Sequence, residues 1–221
     1  MPWRIVKDMP YSTVYDEIYQ GITYFYYIID QPLPYLEGRG YLRNSLQYME
    51  PLRSWLIMFT KDWGKYLSTE ESWNNRFYEN AKSDDSFGLN GTWYESPDNW
   101  KSFNDFFSRR LRTPEERPID SKEDASLVVA PADSKSQGVF LIDDKAKLVL
   151  PENSKGALIK SIHLKDVQEL LGGHSKYKNS FSNGVFTHMY LDVGDYHRYH
   201  FPLDGTVQHM ELIQESSSFG G

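Results

Sequence analysis

The hydrophobic pattern of this chain changes near residue 100, and that change constrains the fold more than any other feature. Before residue 100, apolar residues recur every three or four positions, as in helices that bury one face. From about residue 126, short apolar runs alternate with polar residues or stop at Pro and Gly, which is typical of strands. We therefore predict an α+β protein, with a helical N-terminal region over residues 1–99 and a mainly antiparallel β domain, sandwich-like or barrel-like, over residues 100–221.

A strongly aromatic segment at residues 13–30 opens the helical region. Its apolar residues lie three or four positions apart, which predicts one helix. Such a helix is either buried between others or rests on a lipid surface. The absence of Lys and Arg from its polar face favours the buried position. The apolar positions are Val14, Ile18, Ile22, Phe25 and Ile29.

Further helical signals follow. The pattern over residues 41–67 predicts a helix that Pro51 interrupts. Residues 68–71 (Ser-Thr-Glu-Glu) have the form of a capping box and predict a third helix ending near Lys82. The polar residues 83–99 then predict a linker or long loop.

A short amphipathic helix is predicted over residues 100–112 (WKSFNDFFSRRLR). Its phenylalanines share one face, and three arginines lie at its C-terminal end, where cations suit the helix dipole. These arginines either belong to a docked helix or contact an anion, and the pattern favours the docked helix. They are Arg109, Arg110 and Arg112.

The β pattern predicts several short strands and one helix. The helix is expected at residues 163–171, where Gly172 would stop it. The strands are expected at residues 126–130, 138–142, 148–150, 185–192 and 206–213.

Composition excludes several functions. A net charge of −7 argues against nonspecific nucleic-acid binding. The chain has no cysteine, which rules out disulfides, thiolate catalysis and Cys-ligated zinc. No apolar run reaches the ~18 residues that a membrane span needs. We expect a cytoplasmic protein and leave open a peripheral contact with a membrane.

The densest set of reactive groups lies in residues 195–205 (DYHRYHFPLDG). On a strand, His197 and His200 would face opposite sides and could not share a metal ion. The other candidate ligands lack a zinc-like spacing, so we predict no metal site. The alternative is proton transfer, in which a carboxylate orients a histidine base. Asp195 and Asp133 are the candidate carboxylates.

Four segments resemble the phosphatidylserine decarboxylase family, and they occur in the family's order. Residues 195–205 resemble its histidine-rich signature. Residues 130–134 (APADS) resemble its Pro-Ala-Asp-Gly segment, with Ser134 in place of the Gly. Residues 103–120 (FNDFFSRRLRTPEERPID) resemble the stretch that opens the catalytic domain, and residues 157–172 resemble the segment between these motifs.

The resemblance implies a pyruvoyl-dependent carboxy-lyase that is made as a proenzyme. In the family, a serine of a Gly-Ser motif is activated by a His–Asp pair, attacks the preceding carbonyl and becomes a pyruvoyl group on the α chain. That group accepts electrons as CO₂ leaves an amine substrate. By position, His200 matches the processing base and Asp133 its orienting acid. His197 matches the histidine of decarboxylation, and Asp195 is given a supporting role.

Substrate and partners are expectations from the same resemblance. The favoured reaction converts phosphatidylserine to phosphatidylethanolamine. Decarboxylation of a free aromatic amino acid such as tryptophan stays open, as does a non-catalytic binding module that lost the nucleophile. The expected partner is the α chain of the same proenzyme, and a homo-oligomer is left open. The ending Phe219-Gly220-Gly221 resembles what precedes the cleaved serine, so Gly221 is expected beside the pyruvoyl group, unless the end is a truncation.

Overall fold

The chain forms two compact units in the computed structural model. The structure describes residues 11–36, 45–119, 122–124, 126–159, 162–171, 175–208 and 210. The first unit contains the described residues up to Met58 together with Gly138–His188. The second contains Phe59–Gln137 and the described residues from Met189 onward. Helices and strands are both present, which confirms the α+β class. The domain boundary at residue 100 stays a prediction.

Helix α1 (Tyr11–Ile29) confirms the helix predicted at residues 13–30. Its predicted burial is wrong, because most of its described side chains face solvent. Tyr24 and Tyr27 are 67% and 66% exposed, whereas Ile29 is buried. The apolar spacing was correct for a helix, but helical spacing alone does not say what covers the apolar face. In the described part of the chain, no helix is long and apolar enough to cross a membrane.

Two helices show where the local start signals apply. Helix α2 (Leu52–Tyr66) begins directly after Pro51, which confirms the predicted interruption. Helix α3 (Asn75–Lys82) begins later than the predicted capping box. The side chain of Asn74 caps it by accepting a hydrogen bond from the Phe77 N–H at 3.1 Å. The residues of the predicted box instead precede a single 3₁₀ turn (Glu70–Ser72).

Helix α4 (Phe103–Phe107) is shorter than the predicted helix over residues 100–112. The Ser102 hydroxyl caps its start by accepting from the Asp105 N–H at 3.2 Å. Phe106 is buried in an aromatic cluster, stacked on Trp73 with ring centroids 4.2 Å apart. The rings of Trp100 and Phe106 pack edge to face, with centroids 5.5 Å apart. This cluster anchors α4, and the arginines lie beyond the helix rather than in its last turn.

The strands form two small sheets. Strands β1 (Lys135–Leu141) and β4 (Val185–Tyr190) pair with each other. Strands β2 (Ala157–Ile159) and β3 (Ile162–Leu164) form an antiparallel pair with Ala157 opposite Leu164. Apolar side chains from β2, β3 and the turns beside the strands form a small core in the first unit. Its buried members are Ile142, Ala146, Leu148, Ala157, Leu164 and Val167.

Four predictions for the β region were wrong over the described residues. Residues 148–150 form no strand, and only Leu148 takes part in an isolated bridge, to Ile142. Residues 126–130 are irregular, as are 206–208 and 210 of the predicted strand at 206–213. The predicted helix at residues 163–171 begins as strand β3 and continues as a 3₁₀ turn (Val167–Glu169). Pairing with β2 outweighs the local helical pattern there, because sheet partners are set by tertiary contacts.

The turn after β1 depends on Asp143. Its carboxylate accepts hydrogen bonds from the backbone N–H groups of Lys147 and Lys145, both at 2.8 Å. The bond from Lys147 is the main cause that lowers the pKa of Asp143. A carboxyl whose pKa is lower in the folded state stabilises the fold above its unfolded pKa. That stabilisation is lost as the pH falls through the folded pKa.

We therefore expect Asp143→Ala to lower the melting temperature at pH 7 and to lower it less at pH 2.5. Circular dichroism melting at both pH values measures the difference. Asp144→Ala, a change at the exposed neighbouring carboxylate, is the matched control. A melting difference for Asp143→Ala that is equal at both pH values would contradict the proposed role of the ionised carboxylate.

Candidate active site

Arg109 links the end of α4 to the start of the histidine-rich stretch. Its side chain is fully buried, with 0% of its surface exposed. Nη2 donates to the carbonyl oxygen of Gly194 at 2.7 Å and to that of Asp195 at 3.0 Å. The guanidinium also lies over the rings of Tyr94 and Phe106, at 4.7 and 5.4 Å from their centroids. Carbonyl dipoles and aromatic faces therefore surround this cation.

Arg198 makes the reciprocal connection. Its Nε donates to the carbonyl oxygens of Ser108 and Arg109, at 2.8 and 3.1 Å. Each segment thus sends one guanidinium to the backbone of the other. Because backbone carbonyls define the path of the chain, this exchange holds the two segments in a fixed register.

His197 is oriented by two contacts. Its ring stacks on Phe107, with centroids 3.9 Å apart and planes 25° apart. Nε2 lies 3.2 Å from the carbonyl oxygen of Val193, an acceptor, so Nε2 carries the proton in this contact. The ring plane is therefore set by the helix on one side and by its own loop on the other.

Asp195 holds the turn that precedes the histidines. Its Oδ2 accepts from the Asp192 N–H at 2.8 Å. Asp192 is itself fixed, since its carboxylate accepts from the Val193 N–H at 2.8 Å and pairs with Lys135 at 3.3 Å. The hydrogen bond from Val193, followed by that from Lys135, lowers the pKa of Asp192. The geometry gives Asp195 a backbone contact, and its supporting role in catalysis stays a prediction.

The loop that carries Asp133 runs beside His200. The His200 N–H donates to the carbonyl oxygen of Pro131 at 2.7 Å. A second hydrogen bond of 3.2 Å joins the Val129 N–H to the carbonyl oxygen of Pro202. Two stretches that are far apart in sequence therefore lie side by side. The His200 ring is exposed and stacks on Tyr196, with centroids 5.6 Å apart.

The carboxylate of Asp133 is held by Arg117. Both terminal nitrogens of the guanidinium donate to it, one to each oxygen. This fork geometry is the strongest way for an arginine to bind a carboxylate. The backbones of the Asp133 loop and of His200 therefore lie side by side, and Arg117 is the direct partner of the Asp133 carboxylate. Gly221, which is expected beside the pyruvoyl group, lies outside the described residues.

A cavity of about 380 Å³ adjoins this region. Its walls combine apolar residues with four charged side chains. Phe201 and Pro202 bring it next to His200 in the chain. Among the described residues, no group of three His, Asp or Glu side chains lies close enough to bind a metal ion. The charged residues of the cavity are Lys122, Glu123, Asp124 and Asp204.

Comparison with known proteins bears directly on these contacts. The family model for phosphatidylserine decarboxylase matches residues 103–218, which contain Asp133, His197, His200 and both arginines that bind the histidine-rich stretch and Asp133. The chain belongs to the phosphatidylserine decarboxylase family. This membership confirms the resemblance of the four sequence segments.

Individual phosphatidylserine decarboxylase proenzymes show the same similarity. The one from Bordetella pertussis is 37% identical over 116 residues, covering 52% of this chain and 35% of the relative. The one from Vibrio cholerae is 37% identical over 120 residues, covering 54% and 38%. The one from Shewanella amazonensis is 29% identical over 173 residues, covering 78% and 54%. The matched part of this chain thus spans about a third to a half of these phosphatidylserine decarboxylase relatives.

Two residues of this candidate site were not predicted from the sequence. Arg117 lies within the segment whose family resemblance was recognised (residues 103–120), but nothing in the sequence separates it from the other arginines of that segment. Tyr196 lies between Asp195 and His197 in the signature. Its side chain is only 3% exposed, and the sequence gives no sign of this burial because aromatic residues are common throughout the chain. The reading of Arg109 as an end-of-helix cation was incomplete, because its partners are 85 and 86 residues away.

Proposed function

We propose that this chain supplies the processing and catalytic residues of a pyruvoyl-dependent phosphatidylserine decarboxylase that is made as a self-cleaving proenzyme. One observation carries the proposal. Within the region that matches the family, the His200 N–H bonds to the carbonyl of Pro131, two residues before Asp133, and this contact supports a pairing of the two side chains.

The residues fit this chemistry. His200 presents an exposed imidazole, and Asp133 presents a partly exposed carboxylate two residues beyond the Pro131 contact. In the proposed step, His200 accepts the proton of a serine hydroxyl of the same proenzyme. The serine oxygen then bonds to the preceding carbonyl carbon, the amide C–N bond breaks to leave an ester, and the proton held by His200 goes to the freed amine. Asp133 orients the imidazole for this transfer, as a carboxylate does in serine proteases.

His197 is proposed to act in the decarboxylation step. Its Nε2 is engaged by the Val193 carbonyl, which leaves Nδ1 to hold or release a proton. Stacking on Phe107 keeps the ring in one plane, so this proton would be presented in one direction. The pyruvoyl group of the family supplies an electron sink for loss of CO₂. His197 is then proposed to return a proton to the substrate carbon that lost its carboxylate.

The cavity near His200 supports a lipid substrate. Phosphatidylserine carries an ammonium, a carboxylate and a phosphate beside long apolar chains. The cavity combines apolar residues with charges of both signs, and an amphiphile presents the same combination. We propose that Lys122 meets the anionic groups of the headgroup and that the carboxylates of the lining meet its ammonium.

We expect His197→Ala to leave self-cleavage intact and to lower CO₂ release by roughly 100-fold or more, since general acid–base groups contribute about 10²–10⁴ in rate. The full-length gene product is separated on denaturing gels for cleavage. Its CO₂ release is measured from carboxyl-labelled phosphatidylserine and, in parallel, from tryptophan. His163→Ala changes an exposed histidine on β3 and is the matched control. Faster release from tryptophan than from phosphatidylserine would overturn the lipid assignment.

A further inference from the structure

We infer that Arg117 is a positioning residue for the Asp133–His200 pair, an inference that rests on the function proposed above. It holds the carboxylate directly and supports the imidazole through Tyr196. Nothing in the sequence pattern separates Arg117 from the other arginines of its segment. Its assignment comes from the contacts of its side chain.

An ion pair joins Arg117 to Asp133. The two terminal nitrogens of Arg117 meet the two oxygens of Asp133. The side chains are 29% and 26% exposed, so water screens the pair only in part. A forked pair defines both the position and the plane of the carboxylate, which a single hydrogen bond does not.

Neither Arg117 nor Asp133 lies in a helix or a strand. Arg117 follows a 3₁₀ turn (Pro114–Glu116), and Asp133 lies in a bend before β1. No helix or strand ladder therefore fixes either backbone at these positions. Because the two residues are 16 positions apart, their ion pair closes one loop onto the other. The orientation of the carboxylate then depends on this contact.

Arg117 is also connected to His200, through the ring of Tyr196. Its guanidinium carbon lies 5.1 Å from the centroid of the Tyr196 ring. Tyr196 is buried and stacks on His200, with planes 22° apart. A cation over an aromatic face is attracted by the ring quadrupole. Arg117 thus contacts the acid on one side and the ring that supports the base on the other.

A competing role is built into the same geometry. A guanidinium that occupies both carboxylate oxygens could hold Asp133 away from His200, and its removal would then speed cleavage. A positioning role predicts the opposite sign, because the carboxylate would lose the contact that aligns it. The rate of self-cleavage therefore separates the two roles.

The test measures self-cleavage of the full-length gene product over time, by the conversion of precursor into two chains on denaturing gels. We expect Arg117→Ala to slow cleavage by roughly 100-fold, the effect of a misplacement of about 1 Å in an active site. Arg117→Lys retains the charge but not the fork, and we expect it to cleave about tenfold faster than Arg117→Ala. Added methylguanidinium is expected to accelerate Arg117→Ala and to leave His200→Ala and Asp133→Asn unchanged.

The matched control is Arg112→Ala, which breaks the neighbouring Arg112–Glu116 ion pair, where the arginine is 55% exposed. It should cleave within about twofold of the unmodified protein. Circular dichroism melting of every variant separates misfolding from misalignment, and Arg117→Lys decides the test if Arg117→Ala does not fold. Cleavage of Arg117→Ala at the normal rate or faster would overturn the inference, as would slow cleavage that neither lysine nor methylguanidinium restores. An unmodified protein that never cleaves would overturn the proposed function and this inference together.

Discussion

The full-length gene product with His200→Ala should remain a single uncleaved chain under conditions in which the unmodified protein separates into two. The His200 ring is exposed, and its backbone is tied to the Asp133 loop by the 2.7 Å hydrogen bond to Pro131. Removing the imidazole takes away the group that accepts the serine proton. Since a general base contributes about 10²–10⁴ in rate, cleavage should fall at least about 100-fold.

The design of this experiment isolates the imidazole. Alanine keeps the backbone N–H that bonds to Pro131, so the register of the two loops is retained. His163→Ala, on β3, removes an exposed imidazole outside the proposed site and should cleave normally. Asp133→Asn should slow cleavage by less than His200→Ala, because an orienting group acts only through the base. Normal cleavage of His200→Ala would show that another group activates the serine.

Arg109→Ala should reduce the free energy of unfolding by about 3 kcal/mol or more, since it combines a cavity with buried carbonyls that lose their donor. The side chain is fully buried, and Nη2 bonds to the carbonyls of Gly194 and Asp195. Its removal also takes a cation from the faces of Tyr94 and Phe106. In a chain of this length, such a loss corresponds to a fall in melting temperature of roughly 6–12 °C.

Two variants make the Arg109 prediction specific. Arg110→Ala changes the adjacent, exposed arginine and should alter the free energy of unfolding by less than about 0.5 kcal/mol. Arg109→Met fills most of the volume without donating hydrogen bonds, so its loss of stability reports the unpaired carbonyls rather than the cavity. Urea unfolding followed by tryptophan fluorescence measures all three variants. Equal stability of Arg109→Ala and Arg110→Ala would show that the contacts of Arg109 do not stabilise the fold.

The helices illustrate how far local signals reach. Residues 13–30 and 52–66 carry the 3.6-residue spacing, and both form helices because that spacing is a property of the segment itself. Burial depends on neighbours that a segment does not encode, which is why the prediction of a buried α1 failed. The strand at residues 185–190 was predicted correctly, whereas residues 163 and 164 were assigned to a helix although they pair with β2.

The candidate site shows the same division. Asp133, His197 and His200 were found from the sequence because each lies in a compact motif with a recognisable order of residue types. Their catalytic roles stay proposals. Arg117 was not found, because its importance lies in a contact between two loops. Arg109 was assigned by its local position near a helix end, although its partners lie 85 and 86 residues away.

The sequence by itself determined the class of fold, the family and the groups available for proton transfer, because spacing and short motifs are local and survive without a partner. Only the tertiary structure decided which groups meet. In the tertiary structure Arg117 pairs with Asp133, and Arg109 is buried among carbonyls and aromatic rings. The His200 backbone is hydrogen-bonded to Pro131. Those pairings depend on long-range packing and hydrogen bonding, which no window of neighbouring residues contains.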